Sequence, residues 1–260
     1  MAGYVNINEP VLRLTETELL DYIKCPNLFY FKYRTKIPLV EKKTLGELVR
    51  EAINYYYMKL LDGRAPNMES VKRKWDSLCE AEGNNITGRQ ILEGYGLLKL
   101  FDKYCRDKKL IVADFSSSYE TVFPGNIIIT GSIGAITLIG KKLELFVVET
   151  GSKHPDQRLL DMSIRNTLRC LAALRTFKGY ELNCINVLHL KSLTEYRTYR
   201  SSIQYGRLEK AVQSIGRAIR EEIYYPHESF ECARCPYKNF WDTADERMKG
   251  IIIDYQGILW

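Results

Sequence analysis

The sequence predicts an α/β protein: a mixed central β-sheet flanked by helices, with a helical insertion before the sheet. Three observations carry this. Apolar residues recur at helical spacing through much of the first 110 positions. β-Branched residues then crowd 118–149 in short runs separated by Pro, Gly and Asn. Beyond 153 come, in order, a helix pattern, an apolar strand pattern and a long amphipathic helix pattern.

Composition bounds the rest. With 260 residues and 45% hydrophobic content, the chain suffices for one large domain. A net charge of +6 suits a nucleic-acid partner and equally suits an ordinary lysine-rich surface. No apolar run approaches the roughly 20 residues of a membrane span, and the N-terminus lacks a signal peptide's apolar core. The expectation is therefore a cytoplasmic protein with no membrane partner. Seven cysteines, an odd number at irregular spacing, argue against a disulfide framework. The eighteen tyrosines suit a core with hydroxyls at its rim, or a base-stacking surface.

Residues 1–11 read as an extended lead-in. Thr15 and Glu18 form a capping-box signature for a helix that ends at Cys25-Pro26. Residues 27–33 (NLFYFKY) continue as a buried aromatic turn or helix, and 36–43 as a polar loop. Leu45, Leu48, Val49, Ala52, Ile53, Tyr56 and Tyr57 fall at helical spacing within 44–61. Helices are predicted over 68–82 and 88–105, inside an insertion spanning 64–110. Residues 118–123 read as a strand, turned by Pro124-Gly125-Asn126. Later come a helix at 159–177 stopped near Gly179, a strand at 183–191, a possible edge strand at 194–202, and a helix at 205–224 before Pro226.

Residues 127–153 form the centre of this plan. Strands are predicted at 127–130, 133–139 and 143–149, the last an apolar run suited to a buried central strand, after a hairpin turn at 140–142. The strands end in Gly131-Ser132-Ile133-Gly134 and Glu149-Thr150-Gly151. This supplies one carboxylate where a magnesium site needs at least two.

The opening Leu14-x-x-x-Glu18 through Tyr22-Ile23-Lys24-Cys25-Pro26, with aromatics after it, and the ending Cys232-x-x-Cys235-Pro236-Tyr237 carry a resemblance. The chain resembles the RecB-like branch of the PD-(D/E)XK nucleases, and within it the CRISPR-associated RecB-like exonucleases with an iron–sulfur cluster. That resemblance covers nearly the whole chain. It implies a restriction-endonuclease-like fold in a single domain, 1–260, with a cysteine-containing tail at 226–260.

The catalytic positions depart from the family. Its helix motif has a metal-binding His four residues after Gly; Gly46 is followed by Arg50. Its Gly-x-x-Asp reads Gly131 to Gly134, and its acidic-x-Lys reads Glu149 to Gly151. Its Gln-x-x-x-Tyr is matched poorly by Asn166 and Cys170. Phosphodiester hydrolysis of this type needs a divalent ion on hard oxygen ligands and a cation beside the attacking water. The resemblance therefore implies a pseudo-nuclease with no magnesium site and with degenerate positions Arg50, Gly134, Glu149 and Gly151. Arg50 puts a cation where the metal would sit, and such a cation attracts phosphate. The opposing reading keeps an active nuclease with ligands relocated to Lys153, Asp156 or Asp161.

In cluster-bearing relatives four thiolates join the tail to the first helix. Cys25, Cys232 and Cys235 match three of them, and Phe240, Trp241 and Asp242 occupy the window of the fourth. Three readings stand: buried cysteines without a cofactor, zinc on the three with His227, and a surviving cluster with a substitute ligand. Cys79, Cys105, Cys170 and Cys184 read as core, and His189 as a core or rim histidine.

Basic residues Lys42, Lys43 and Arg50 are expected around the mouth of the cleft. Lys153, Arg158, Arg165 and Arg169 form a second side, the last two sharing a helix face. Arg197, Arg200 and Arg207 lie in a Tyr-rich stretch, expected as a stacking surface or a charged edge strand. The leading expectation is a non-catalytic DNA-binding or assembly subunit in replication, recombination or a phage or viral nucleoprotein complex, with DNA and a protein as partners. The alternatives are the active exonuclease, and a structural or inhibitory protein-binding module without DNA binding.

Overall fold

The computed structural model describes residues 10–35, 42–64, 66–115, 117–139, 142–227, 229, 232–233 and 235–238. Within them the chain is α/β, with mixed β-structure flanked by helices. It divides into two compact units, one of residues 1–40, 122–129 and 209–260, the other of 41–121 and 130–208.

The first unit starts with β1 (Leu12–Thr15) and α1 (Glu16–Lys24). The expected capping box is present: the Thr15 hydroxyl accepts from the Glu18 amide at 3.1 Å, and the Glu18 carboxylate accepts from the Thr15 amide at 2.6 Å. Cys25 turns extended, as the residue before proline must, and α2 (Pro26–Phe29) and a π-helical turn (Tyr30–Arg34) follow. Their rings pack on Tyr224, with Phe29 stacked at 6.1 Å and Tyr30 at 5.0 Å between centroids. The Tyr22 hydroxyl donates to Ile223 O at 2.7 Å, fastening the chain after residue 220 to α1. Arg220 clasps the 124–126 turn, donating to Gly125 O at 2.8 Å and to Pro10 O at 3.0 Å.

The second unit begins with three capped helices, α3 (Leu45–Leu61), α4 (Met68–Glu82) and α5 (Gly88–Lys108). Then come β2 (Val112–Phe115), β3 (Ser118–Phe123), β4 (Ile127–Ser132), β5 (Ala135–Ile139) and β6 (Lys142–Glu149). After α6 (Gln157–Met162) and α7 (Ile164–Thr176), β7 (Glu181–His189), β8 (Thr194–Thr198) and α8 (Ser202–Arg220) complete the order, the parts of β3, β4 and α8 within 122–129 and 209–220 belonging to the first unit. The larger sheet runs β2-β5-β6-β7-β8; β6 and β7 are parallel and the other pairs antiparallel. A parallel pair needs a crossover, which α6 and α7 provide. The smaller sheet runs β1-β4-β3.

The core of this unit is the predicted stripe of α3 (Leu48, Val49, Ala52, Ile53, Tyr56 and Tyr57) packed with Trp75, Phe101, Phe146, Val148 and Leu188. Trp75 is fully buried and donates its indole N–H to Ile91 O at 3.1 Å. It lies against Gly94, where a Cβ would collide with the indole ring. No described helix is long and apolar enough to cross a membrane.

Four features differ from expectation. Residues 127–149 were expected as one continuous strand set, but β4 joins the small sheet and β5 the large one. Gly134, at φ +91°, breaks the run, and the Ile133 amide turns aside to Ser117 O at 3.0 Å. The helix expected at 159–177 is two helices, because Ser163 leaves helical conformation and its hydroxyl caps the Asn166 amide at 3.3 Å. Strands β1 and β2 were not foreseen. The lead-in 1–9, the loop 36–41 and turn residues 140–141 lie outside the described residues.

The edge of the large sheet is held by Glu195, which accepts from Lys108 at 2.7 Å and from Asn186 at 3.3 Å. Burial raises its pKa, but the hydrogen bonds from Lys108, Asn186 and Tyr104 outweigh this and hold the carboxyl below its ordinary value. A depressed folded pKa contributes stability that is present above the unfolded value and lost as pH falls through the folded one. Glu195→Gln should therefore lower the urea midpoint at pH 7, and the deficit should shrink below about pH 4.

Candidate functional site

The site is built where α3 begins and β6 ends. Thr44 caps α3 through a box with Glu47, whose carboxylate is held below its ordinary pKa by the Thr44 amide and hydroxyl. This sets Gly46 one residue into the helix, directly over Thr150. A Cβ on Gly46 would stand 2.6 Å from the Thr150 Oγ1. Only glycine allows so close an approach, and it brings the helix motif onto the Glu149-Thr150-Gly151 corner.

That corner is pinned from β7. Glu149 pairs with His189 in the parallel ladder, and the Leu190 amide donates to Glu149 O at 2.9 Å. His189 is 1% exposed. Its Nε2 lies 3.1 Å from Gly151 O and its Nδ1 2.7 Å from Ser192 Oγ. A carbonyl only accepts, so Nε2 carries the proton, and in the neutral ring the serine hydroxyl donates to Nδ1. The His154 ring lies 4.4 Å from that of His189, centroid to centroid, and its Nδ1 bonds the Tyr196 hydroxyl at 2.7 Å.

The other expected positions meet here in part. Arg50 is exposed one turn beyond Gly46, on the same side of α3. Gly134 immediately precedes Ala135, which pairs with Phe146, so it lies at the same end of the sheet as Glu149. A Cβ at Gly134 or Gly151 would meet nothing within 4 Å. Space thus stands open at both positions. Gly134 also has a φ that L-residues rarely adopt, so an aspartate there would be strained. Asn166 and Cys170 are buried on α7, away from solvent.

These residues do not fit a magnesium ion. Glu149 is the one side-chain carboxylate among the expected motif positions. The described residues contain no group of three His, Cys, Asp or Glu that could hold a metal. Cys25, Cys232, Cys235 and His227 form no such group either, although His227 Nδ1 bonds Lys24 O at 2.9 Å beside Cys25. Cys232 is exposed, and Cys25 and Cys235 are half-buried.

Of the expected basic residues, Lys42, Lys43, Arg50, Lys153, Arg158 and Arg165 are exposed and Arg169 is half-buried. Lys43 is paired with Glu51 at 2.7 Å. Arg200 is engaged in structural contacts. It is half-buried and spends its donors on Thr167 Oγ1 (2.8 Å), Thr198 Oγ1 (2.7 Å), Tyr199 O (2.7 Å) and Leu160 O (2.7 Å), tying α6, α7 and β8 together. Thr150 and Ser192 were not singled out beforehand. A threonine or serine at a strand end carries no sequence signal until the fold supplies its partner.

Two outcomes are expected. Alanine inside a helix usually gains up to about 1 kcal/mol over glycine. Gly46→Ala should instead lower the urea midpoint, and in a Thr150→Ala background the same change should raise it or leave it unchanged. In native protein at pH 8, a thiol reagent should modify Cys232 well before Cys79, Cys105, Cys170 and Cys184. Burial pushes Cys79 up to about 11, Cys170 and Cys184 up to about 12, and Cys105 higher still. Prior addition of zinc should leave the Cys232 rate unchanged.

No family model matches the chain, and no curated protein matches it. Among solved structures it is similar to one titled "Crystal structure of SSO0001", at 11% identity over 88% of this chain and 85% of that one, with a TM-score of 0.40. A likeness that weak carries no argument about fold or function.

Proposed function

We propose that this chain is a catalytically inactive RecB-like pseudo-nuclease of the PD-(D/E)XK type. It serves as a DNA-binding or assembly subunit in replication, recombination or a phage or viral nucleoprotein complex, in the cytoplasm of the cell or host. The observation that carries this reading is the packing of Gly46 on Thr150. It brings Gly46, one turn before Arg50, against the Glu149-Thr150-Gly151 corner, and a side chain at Gly134 or Gly151 would meet nothing within 4 Å.

The same corner supports binding without cleavage. Arg50 and Lys153 are exposed cations on the two segments that Gly46 and Thr150 join. Phosphate contacts of this kind position a nucleic acid without reading its sequence, and they release counterions on binding. The relocated-ligand alternative draws less support. Asp156 Oδ1 accepts from the Arg158 amide at 2.7 Å as the cap of α6, and Asp161 Oδ1 accepts from Gln157 at 2.9 Å.

The test is incubation of the protein with end-labelled duplex, overhang and single-stranded DNA, in Mn²⁺ or chelator, with native and denaturing gels. Intact DNA in both conditions, with a salt-sensitive shift, is expected. Arg50→Glu with Lys153→Glu should weaken that shift at least roughly tenfold at low salt. Shortened products that require Mn²⁺ would overturn the inactive reading, and the absence of any shift would overturn DNA binding.

A further inference from the structure

The turn from β7 to β8 sets a hydroxyl, an imidazole and a carbonyl in series. Ser192 Oγ lies 2.7 Å from His189 Nδ1, and His189 Nε2 lies 3.1 Å from Gly151 O. The carbonyl fixes the proton on Nε2, so Nδ1 accepts from the Ser192 hydroxyl. Thr194 Oγ1 lies 2.8 Å from Ser192 Oγ and donates to it, because the Ser192 proton is already directed to Nδ1. His189 is buried, whereas Ser192 is exposed. The base is thus held inside the fold, and the hydroxyl it accepts from stands at the surface.

The same turn carries donors without acceptors. The amides of Lys191, Ser192 and Leu193 make no hydrogen bond among the described residues. Leu193 is left-handed, at φ +53°, a conformation that bulky residues rarely adopt. Its side chain packs against the core of the unit, which holds the turn in this shape. Successive amides beside a left-handed residue can form a concave surface for negative charge. The Lys191 ammonium is engaged elsewhere, 2.6 Å from Glu93.

We propose that Ser192 is a nucleophile toward carboxylic esters, with His189 as its general base and Gly151 O as the group that orients the base. Ser192 Oγ bonds to the ester carbonyl carbon while its proton passes to His189 Nδ1. The bond to the leaving alcohol then breaks, and that alcohol takes the proton from Nδ1. Water, giving its proton to the same nitrogen, releases the acid and restores the Ser192 hydroxyl. The amides of the turn, that of the nucleophile among them, supply donors for the tetrahedral oxyanion. The orienting carbonyl is neutral and stabilises an imidazolium less than a carboxylate does, so the pair suits the alcohol leaving group of an ester better than the amine of a peptide. This proposal does not depend on the nuclease-like reading. Of the degenerate positions it uses only the Gly151 backbone carbonyl, and it leaves the absence of nuclease chemistry untouched.

The experiment treats the intact protein with a fluorescent fluorophosphonate and, separately, with p-nitrophenyl acetate. Ser192→Ala, His189→Gln and urea-unfolded wild type are run beside it, and circular dichroism confirms that each variant is folded. Glutamine can keep the bonds to Gly151 and Ser192 but cannot serve as a base. Native wild type should take up the label and release p-nitrophenol. Both reactions should be absent in Ser192→Ala and in the unfolded chain, and at least roughly 100-fold slower in His189→Gln. Mass spectrometry should place the phosphonyl group on the peptide that contains Ser192. Native protein no more reactive than the unfolded chain, or reactivity that persists in Ser192→Ala, would overturn the proposal, and Ser192→Ala alone decides it should His189→Gln fail to fold. Full reactivity in folded His189→Gln would overturn the role of the base, and labelling without release of p-nitrophenol would overturn ester cleavage.

Discussion

The parallel pairing of β6 with β7 is the constraint on which the second unit depends. Adjacent parallel strands cannot be joined by a tight turn, so the chain must leave the sheet and return. That excursion is α6 and α7, and it leaves the ends of β6 and β7 side by side. Glu149 and His189 become neighbours only through this register. The whole corner of Thr150, Gly151, Ser192 and His154 follows from it. On the other edge of β6 the antiparallel hairpin with β5 brings Gly134 to the same end of the sheet. One strand, largely buried along its length, thus brings Glu149, His189 and Gly134 to one end of the sheet.

The corner is well ordered by hydrogen bonds yet poor in groups that hold a metal. His189 bonds Gly151 and Ser192 through its two nitrogens, Thr150 is a contact surface for Gly46, and the glycines contribute space. Such an arrangement can hold a shape and leave a volume open. Among the expected motif positions it supplies one carboxylate, that of Glu149, where a hydrolytic metal centre requires at least two. Under the proposed reading that open space and the exposed cations nearby, Arg50 and Lys153, serve binding.

Elements with complete local signals were legible in the sequence. The capping box at Thr15 located one helix start, apolar spacing located α3, and the bounds of α4 and β3 agree with the periodicity at both ends. Strands β1 and β2 have four residues each, too few to establish a period. The break at Ser163 was hidden because Leu160 and Leu168 keep helical spacing across it, and serine is as common on a helix surface as at a cap. At the site, Gly46 and Glu149 were picked out through the motif resemblance. Thr150 and the role of Arg200 could not be, since their partners Gly46 and Thr167 lie tens of residues away and meet them only in the fold, and Ser192, three residues from His189, carries no signal of its own.

The backbone at Gly134 has a historical consequence. A side chain exchanged for a smaller one on an ordinary strand can return by the reverse mutation. Here the φ of +91° belongs to glycine, and the chain uses it to pass from one sheet to the other. Under the proposed reading, regaining an aspartate would require the path between the sheets to be redrawn first, so intermediates along the way would carry a cost and no benefit. The conformation acts as a ratchet: with the two sheets joined through this residue, a side chain is far easier to change on the surrounding surface than at position 134 itself.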